Sequence, residues 1–430
     1  MIRTLTTLLF GRPIGVLHLE DDGYCSFQYT DEFCASGMQP SPLQMPAIQN
    51  RTYKFPLLDT VTFNGLPGMI ADSLPDSFGR ALLEQWLTAM GREEESDNAL
   101  ERLSFQGKRC MGALEYRPSR EEYLNESSLI EMDELVSTAR EALSSKESFL
   151  STMKDKEKMI ADILKIGTSA GGQRAKAVIA VNDTTGEIRS GQVECPDGFT
   201  QWILKFDGFD SNGRPTSPAN YGRREYAFSK VARACGIDMT ECRLLEENGR
   251  AHFMTRRFDR NGNNKLHMQT LCALSHYDFR RPGFYSYEQA FSQMRRMNLG
   301  YDTANEMFRR LVFNVMCLNM DDHTKNISFL MDRMGKWRLS PAYDVGFNYN
   351  PHGMWCSSHQ MTINGKRNGI TTKDLMEVAA KNDISSPMEI IQEVEYGVMQ
   401  FPSFADECGI PREETDYVMG LIKDHSMSNI

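Results

Sequence analysis

Paired cysteines are missing from this sequence of 430 residues. Its 10 cysteines are scattered and no two stand as CxxC, which excludes a zinc ribbon or a dithiol redox motif. Scattered thiols in a chain of this length fit a reducing compartment better than a disulfide scaffold. No run approaches the ~18 apolar residues of a membrane helix. The start, MIRTLTTLLFGRPIG, has only a broken apolar patch before Arg12 and Pro13, unlike a signal-peptide core. The expectation is a cytoplasmic protein with no membrane partner. A positive excess is missing too. With 48 basic and 58 acidic side chains the net charge is −10, which argues against a broad nucleic-acid footprint of the chain's own. There is no internal repeat, no low-complexity linker and no Gly-x-Ser-x-Gly nucleophile elbow.

What is present is ordinary globular composition, 40% hydrophobic and 25% charged, in a length that suggests about three structural units of ~150 residues. Up to about residue 65 the pattern is short apolar segments broken by turn residues, with Asp21-Asp22-Gly23 as a hairpin turn. A helix is predicted from near Ser77 to before Gly91, on the spacing of Phe78, Ala81, Leu82 and Trp86. Residues 126–166 read as a charged helical face. Strands follow at Ala177–Val181 and Trp202–Phe206, a helix at 223–235 stops at Gly236, and two more strands fall near 241–247 and 252–258. After about 285 the pattern is mainly helical.

Five polar features carry candidate chemistry. Asp321 and Asn326 are spaced D-x-x-x-x-N after an apolar run, Leu311–Leu318, the spacing of a protein-kinase catalytic loop. A carboxylate can accept the acceptor hydroxyl's proton there while an amide oxygen ligates a divalent ion; alternatively the pair caps helices and turns. Asp344 precedes x-Gly, as a metal-binding aspartate does in a D-F-G element, or it is a turn aspartate. Lys205 lies inside an apolar strand, where an anionic partner would offset its burial. Glu225 on the next helix, or phosphates, would serve, unless Lys205 simply faces solvent. The loop Gly167–Gly172 matches G-x-x-x-x-G, but Gln173 and Arg174 replace the Lys and Ser/Thr of a Walker loop. Its backbone amides remain able to approach phosphate. A phosphate on Thr168 or Ser169 would place negative charge where nucleotide phosphates belong. His323 is either a base or a donor that orders the loop, and His352 and His359 are too isolated for a metal site. The order of the five features favours a phosphotransferase.

On these residues the chain resembles the HipA family of serine/threonine kinases, toxins of toxin–antitoxin pairs. The matching stretches are Ala71–Asp76 with Phe78-Gly79-Arg80, Ser169–Gly172, Ile203–Lys205, Arg257–Arg260, Asp321–Asn326 and Leu339–Asp344. The resemblance implies an α+β, bilobed protein-kinase-like fold. Its parts would be an N-terminal β-rich subdomain at 1–120, a nucleotide-binding lobe with the glycine-rich loop at 121–258, and a helical catalytic lobe at 259–430. It further implies ATP and Mg2+ as cofactors and phosphorylation of a protein hydroxyl. Asp321 looks like the catalytic aspartate, and Asn326 and Asp344 look like metal ligands. Thr168, Ser169, Ala170, Gly171, Gly172, Lys205, Arg256, Phe258, His323 and Lys325 look like the ATP-binding set, with Glu225 supporting the lysine. Arg256 stands where the family often has glutamate. Autophosphorylation would fall on Thr168 or Ser169. The implied partners are a protein substrate and a helix-turn-helix antitoxin of HipB type, through which alone the chain would meet DNA. A kinase-fold phosphotransferase of small molecules, or a non-catalytic ATP-binding co-repressor subunit, would share these residues.

Overall fold

The computed structural model describes residues 2–75, 77–92, 98–120, 124, 126–133, 135–137, 175–208 and 220–427. The chain forms two compact units. Unit one is Met1–Ala219, Arg243–Gln269 and Leu330–Lys336; unit two is Asn220–Cys242, Thr270–Phe329 and Trp337–Ile430. Most of the predicted helical stretch 126–166, and the whole glycine-rich loop 167–172, lie outside the described residues.

Among its described residues unit one includes two five-stranded sheets. Strands β1 (Thr4–Leu9), β2 (Arg12–Leu19), β3 (Cys25–Tyr29), β4 (Thr52–Tyr53) and β5 (Leu114–Arg117) order as β4-β3-β2-β1-β5. The expected turn joins β2 to β3, with Gly23 at φ +83. Register puts Leu5 opposite Leu17 and Leu17 opposite Phe27. All three are fully buried, a cross-strand apolar row that fixes which face turns inward.

The second sheet is built from β6 (Lys176–Val181), β7 (Ile188–Ser190), β8 (Thr200–Lys205), β9 (Cys242–Glu247) and β10 (Arg250–Arg256), in the order β7-β6-β8-β10-β9. Side chains alternate between faces along a strand. Ala177, Ile179, Trp202, Leu204 and Met254 therefore share one face, and they pack with Leu82, Leu83 and Trp86 of helix α1 (Ser77–Ala89). The opposite face carries Lys176, Lys205 and Phe253, which the register sets side by side.

Where β10 ends, Arg257 and Arg260 enclose Asp259. Arg257 donates to both carboxylate oxygens at 2.9 and 2.8 Å, Arg260 donates at 2.7 Å, and the Gly112 amide donates at 2.7 Å. Arg260 also reaches the carbonyls of Gly112 and Cys110. Gly112 has φ +73, and a Cβ there would meet the Met268 amide at 2.8 Å, so only glycine fits. Burial alone would push the Asp259 carboxyl up, but the two guanidinium charges and these hydrogen bonds hold it well below the usual carboxylate range. An unfolded aspartate titrates near ~3.9, so this folded value is the lower one. The resulting stability is fully present above about pH 4 and declines as pH falls further. Urea midpoints measured from pH 7 to 2.5 are expected to fall less steeply for Asp259→Asn than for the parent. Parallel curves would remove Asp259 from the acid limb.

Unit two is mainly helical after Ser286: α3 (Tyr287–Arg296), α4 (Tyr301–Met316), α5 (Thr372–Lys381), α6 (Pro387–Val398), α7 (Phe401–Glu407) and α8 (Arg412–Ile422), preceded in the chain by α2 (Tyr221–Ala234). A capping box at Ser286 and Gln289 starts α3, satisfying two end groups reciprocally. Helix α4 buries Met307, Phe308, Leu311, Val312, Phe313, Val315 and Met316, more than one stripe, as suits a central helix. It stops at Cys317, and Leu318 turns the chain with φ +51. Among the described residues no helix is long and apolar enough to cross a membrane.

Candidate active site

The turn at Leu318 delivers Asp321–Asn326 directly after a buried helix and before strand β11 (Ser328–Met331). The loop is tightly self-bonded. The His323 amide donates to the Asp321 carbonyl at 3.0 Å and the Asn326 amide to the His323 carbonyl at 2.9 Å. The Asn326 side chain donates to the Asp321 carbonyl at 2.8 Å, so its Nδ2 is engaged and its Oδ1 is left for a ligand. The Thr324 hydroxyl ties the loop to the Tyr277 carbonyl at 2.7 Å.

Asp344 reaches the same place from a later segment. Its backbone is left-handed, φ +51, and the Asn319 side chain donates to its carbonyl at 3.4 Å. Asp344, Asn326, His323, Asp322 and Asn319 line one pocket. Burial pushes the Asp321 carboxyl above its ordinary value, and the nearby charges of Asp344 and Asp322 push the same way. His323 and the Trp355 N–H pull it back. Like charges this close gain from a cation between them.

A magnesium ion fits this donor set. Among the described residues no three His, Cys, Asp or Glu side chains gather as an all-protein metal cage. Mg2+ characteristically takes one or two protein oxygens and completes its shell with water and phosphate; Asp344 and Asn326, which line one pocket, could supply those two. Lys325 is set with its Nζ 4.9 Å from the Phe279 ring centroid.

In unit one Lys205 is half-buried on β8, its Nζ 5.7 Å from the centre of the Phe253 ring. Directly opposite on β6 stands Lys176, 2% exposed. Facing cations on one sheet surface repel each other. Arg256 is exposed at the end of β10 and Phe258 just beyond is half-buried. Thr168, Ser169, Ala170, Gly171 and Gly172 lie outside the described residues. Glu225 is half-buried on the helix Tyr221–Ala234 of unit two.

Sequence reasoning passed over residues in each unit. Lys176 opens an apolar strand just after the glycine-rich loop, a signal of the same kind that singled out Lys205. Asp322 is the loop's buried anchor, 1% exposed. His359, set aside as isolated, has its Nδ1 at 2.9 Å from Asp322 Oδ2. His323 orders the loop through its backbone, and its imidazole is not the hydrogen-bond donor one sequence reading expects: among the described residues its Nδ1 has no partner, and its Nε2 is 3.7 Å from Asp321.

With this geometry in place, comparison with known proteins gives the class. The HipA N-terminal domain matches residues 5–117, and the HipA-like C-terminal domain matches residues 168–422. The chain belongs to the HipA family. A solved structure, the Shewanella oneidensis MR-1 toxin–antitoxin complex of HipA, HipB and operator DNA, superposes with a TM-score of 0.65 at 16% identity. The match covers 97% of this chain and 95% of that one and gives the α+β HipA-like fold. A curated relative from Sinorhizobium fredii, named "Putative kinase Y4dM", is 26% identical over 207 residues, 44% of this chain. That match spans about half, 48%, of the relative's length.

Proposed function

We propose that this chain is an ATP- and Mg2+-dependent serine/threonine protein kinase of the HipA toxin type. One observation carries the reading: Asp321 and Asn326 share a self-bonded loop, and Asp344 lines the same pocket as Asn326. In this reading Asp321 accepts the proton of the acceptor hydroxyl, and Asn326 and Asp344 hold the ion. That ion supplies charge neutralisation on the phosphates when bound. Lys325 lies on the same loop as a further phosphate contact. In unit one Lys205 and Lys176 receive phosphate oxygens, the backbone of Met254–Phe258 meets the base, and Thr168 or Ser169 is the self-phosphorylated hydroxyl. The division into 1–120, 121–258 and 259–430 belongs to the same reading. A HipB-type antitoxin is the proposed neutralising partner and the route to DNA, in keeping with the composition of the Shewanella complex.

The test is intact mass spectrometry of the purified full chain with and without ATP and Mg2+, on the parent and on Asp344→Asn. The parent is expected to gain one or more phosphoryl groups only with both added, and the variant none. A parent that gains no mass and labels no lysate protein would end the kinase reading.

A further inference from the structure

Trp355 lies 34 residues beyond Asp321 and donates its indole N–H to Asp321 Oδ1 at 2.5 Å. No other side-chain or backbone donor occupies Oδ2 among the described residues, and the Asp321 side chain is 36% exposed. The indole thus takes one carboxylate oxygen and leaves the second open to an incoming hydroxyl. The segment that carries it is braced on both sides. The Asn350 amide donates to the Cys356 carbonyl at 2.9 Å and the Gly353 amide to the Asn350 carbonyl at 3.0 Å. The Gln360 side chain donates to the Trp355 carbonyl at 2.6 Å, while the Gln360 amide donates to Asp322 Oδ1 at 2.7 Å. The Trp355 ring also meets His323 edge-on at 6.2 Å between centroids. The indole N–H is therefore fixed relative to the loop that holds Asp321.

Asp321 needs such a hold. Asp344 and Asp322 repel its carboxylate, and an aspartate side chain has several staggered wells open to it. We infer that Trp355 is a positioning residue for the transfer reaction, its indole N–H holding Asp321 in the rotamer that presents Oδ2 to the acceptor hydroxyl. This rests on Asp321 being the carboxylate that receives the proton. A strap that shut the site would have covered both oxygens; this one covers one. Displacement of a reacting group by about 1 Å costs on the order of a hundredfold in rate, so loss of the N–H acts on turnover and leaves nucleotide binding alone.

The test compares the full-length parent, Trp355→Phe, and the chain carrying benzothienylalanine at 355, which keeps the bicyclic shape and replaces N–H with sulfur. Self-labelling from γ-labelled ATP is timed at saturating nucleotide, and affinity is read separately with mant-ATP. Both altered chains are expected to label about 10- to 100-fold more slowly, with mant-ATP affinity within twofold. Labelling at the parental rate or faster in Trp355→Phe overturns the proposal. So does full activity with benzothienylalanine, which would assign the role to ring shape, or a loss that follows mant-ATP affinity. Asp321→Asn separates this from the broader reading. If that variant labels like the parent, the assignment of Asp321 is wrong; if it is inactive while Trp355→Phe is unaffected, only the role of Trp355 is lost.

Discussion

Asp321→Asn is expected to cut phosphoryl transfer by about a hundredfold to ten-thousandfold, the range of a lost general base, while the fold stays as it is. The change is nearly isosteric. Asn Oδ1 still accepts the Trp355 indole N–H, and the loop bonds to residue 321 run through its backbone carbonyl. The side chain is partly exposed, so removing its charge strands no buried partner. Binding should not weaken, because the proposed nucleotide and ion contacts Lys176, Lys205, Asn326 and Asp344 are untouched. The barrier rises by about 3–5 kcal/mol at ~1.4 kcal/mol per tenfold, all of it at the chemical step. The measurement is the initial rate of labelling at saturating ATP, beside mant-ATP affinity and a thermal melt. A rate within tenfold of the parent, with melt and affinity unchanged, would mean that residue 321 takes no proton.

The parts of this site legible in the sequence are those set by short spacings. Asp321, Asn326 and Asp344 could be picked out because a helix, a loop and a strand follow one another without a break, so distance along the chain translates directly into position. Lys205 stood out as a cation in an apolar strand. The β2–β3 hairpin, helix α1 and the second sheet were legible for a similar reason, since hydrophobic alternation and helical spacing report which face is buried. What escaped were partners brought in by register or by irregular chain. Lys176 faces Lys205 only because β6 and β8 pair with that alignment, which neither strand states alone. Trp355, His359 and Gln360 sit in a stretch with no periodicity, and they meet residues 321 and 322 across 34, 37 and 38 positions. Asp321 and Asp322 are adjacent carboxylates in the sequence. Burial separates them: one is partly open to solvent, the other is sealed.

Asp322→Ala should therefore cost more stability than any substitution of the residues around it. Its carboxylate receives the Tyr287 hydroxyl and His359 Nδ1 on one oxygen, each at 2.9 Å, and the Gln360 amide on the other at 2.7 Å. Behind Tyr287 the hydrogen bonds continue. The Asn314 amide group donates to the Tyr287 hydroxyl, Asn319 donates to Asn314 and, more weakly, to the Asp344 carbonyl, and Asn348 donates to Asn319. A buried polar chain thus joins Asp322 to the backbone of Asp344, and within such a chain the bonds reinforce one another. Alanine strands three buried donors at about 1–3 kcal/mol each. With partial relaxation the loss is about 3–6 kcal/mol, a large share of the 5–15 kcal/mol typical of a folded domain. Urea unfolding at pH 7 measures it, and Asp322→Asn, which keeps an acceptor and the volume, should lose less. The mechanism makes a sharper demand. In a Tyr287→Phe background one donor is already gone, so the alanine penalty must shrink by roughly 1 kcal/mol. A penalty that is the same in both backgrounds would show that Asp322 acts by packing alone, and a loss below about 1 kcal/mol would show that the carboxylate is not the anchor of the loop.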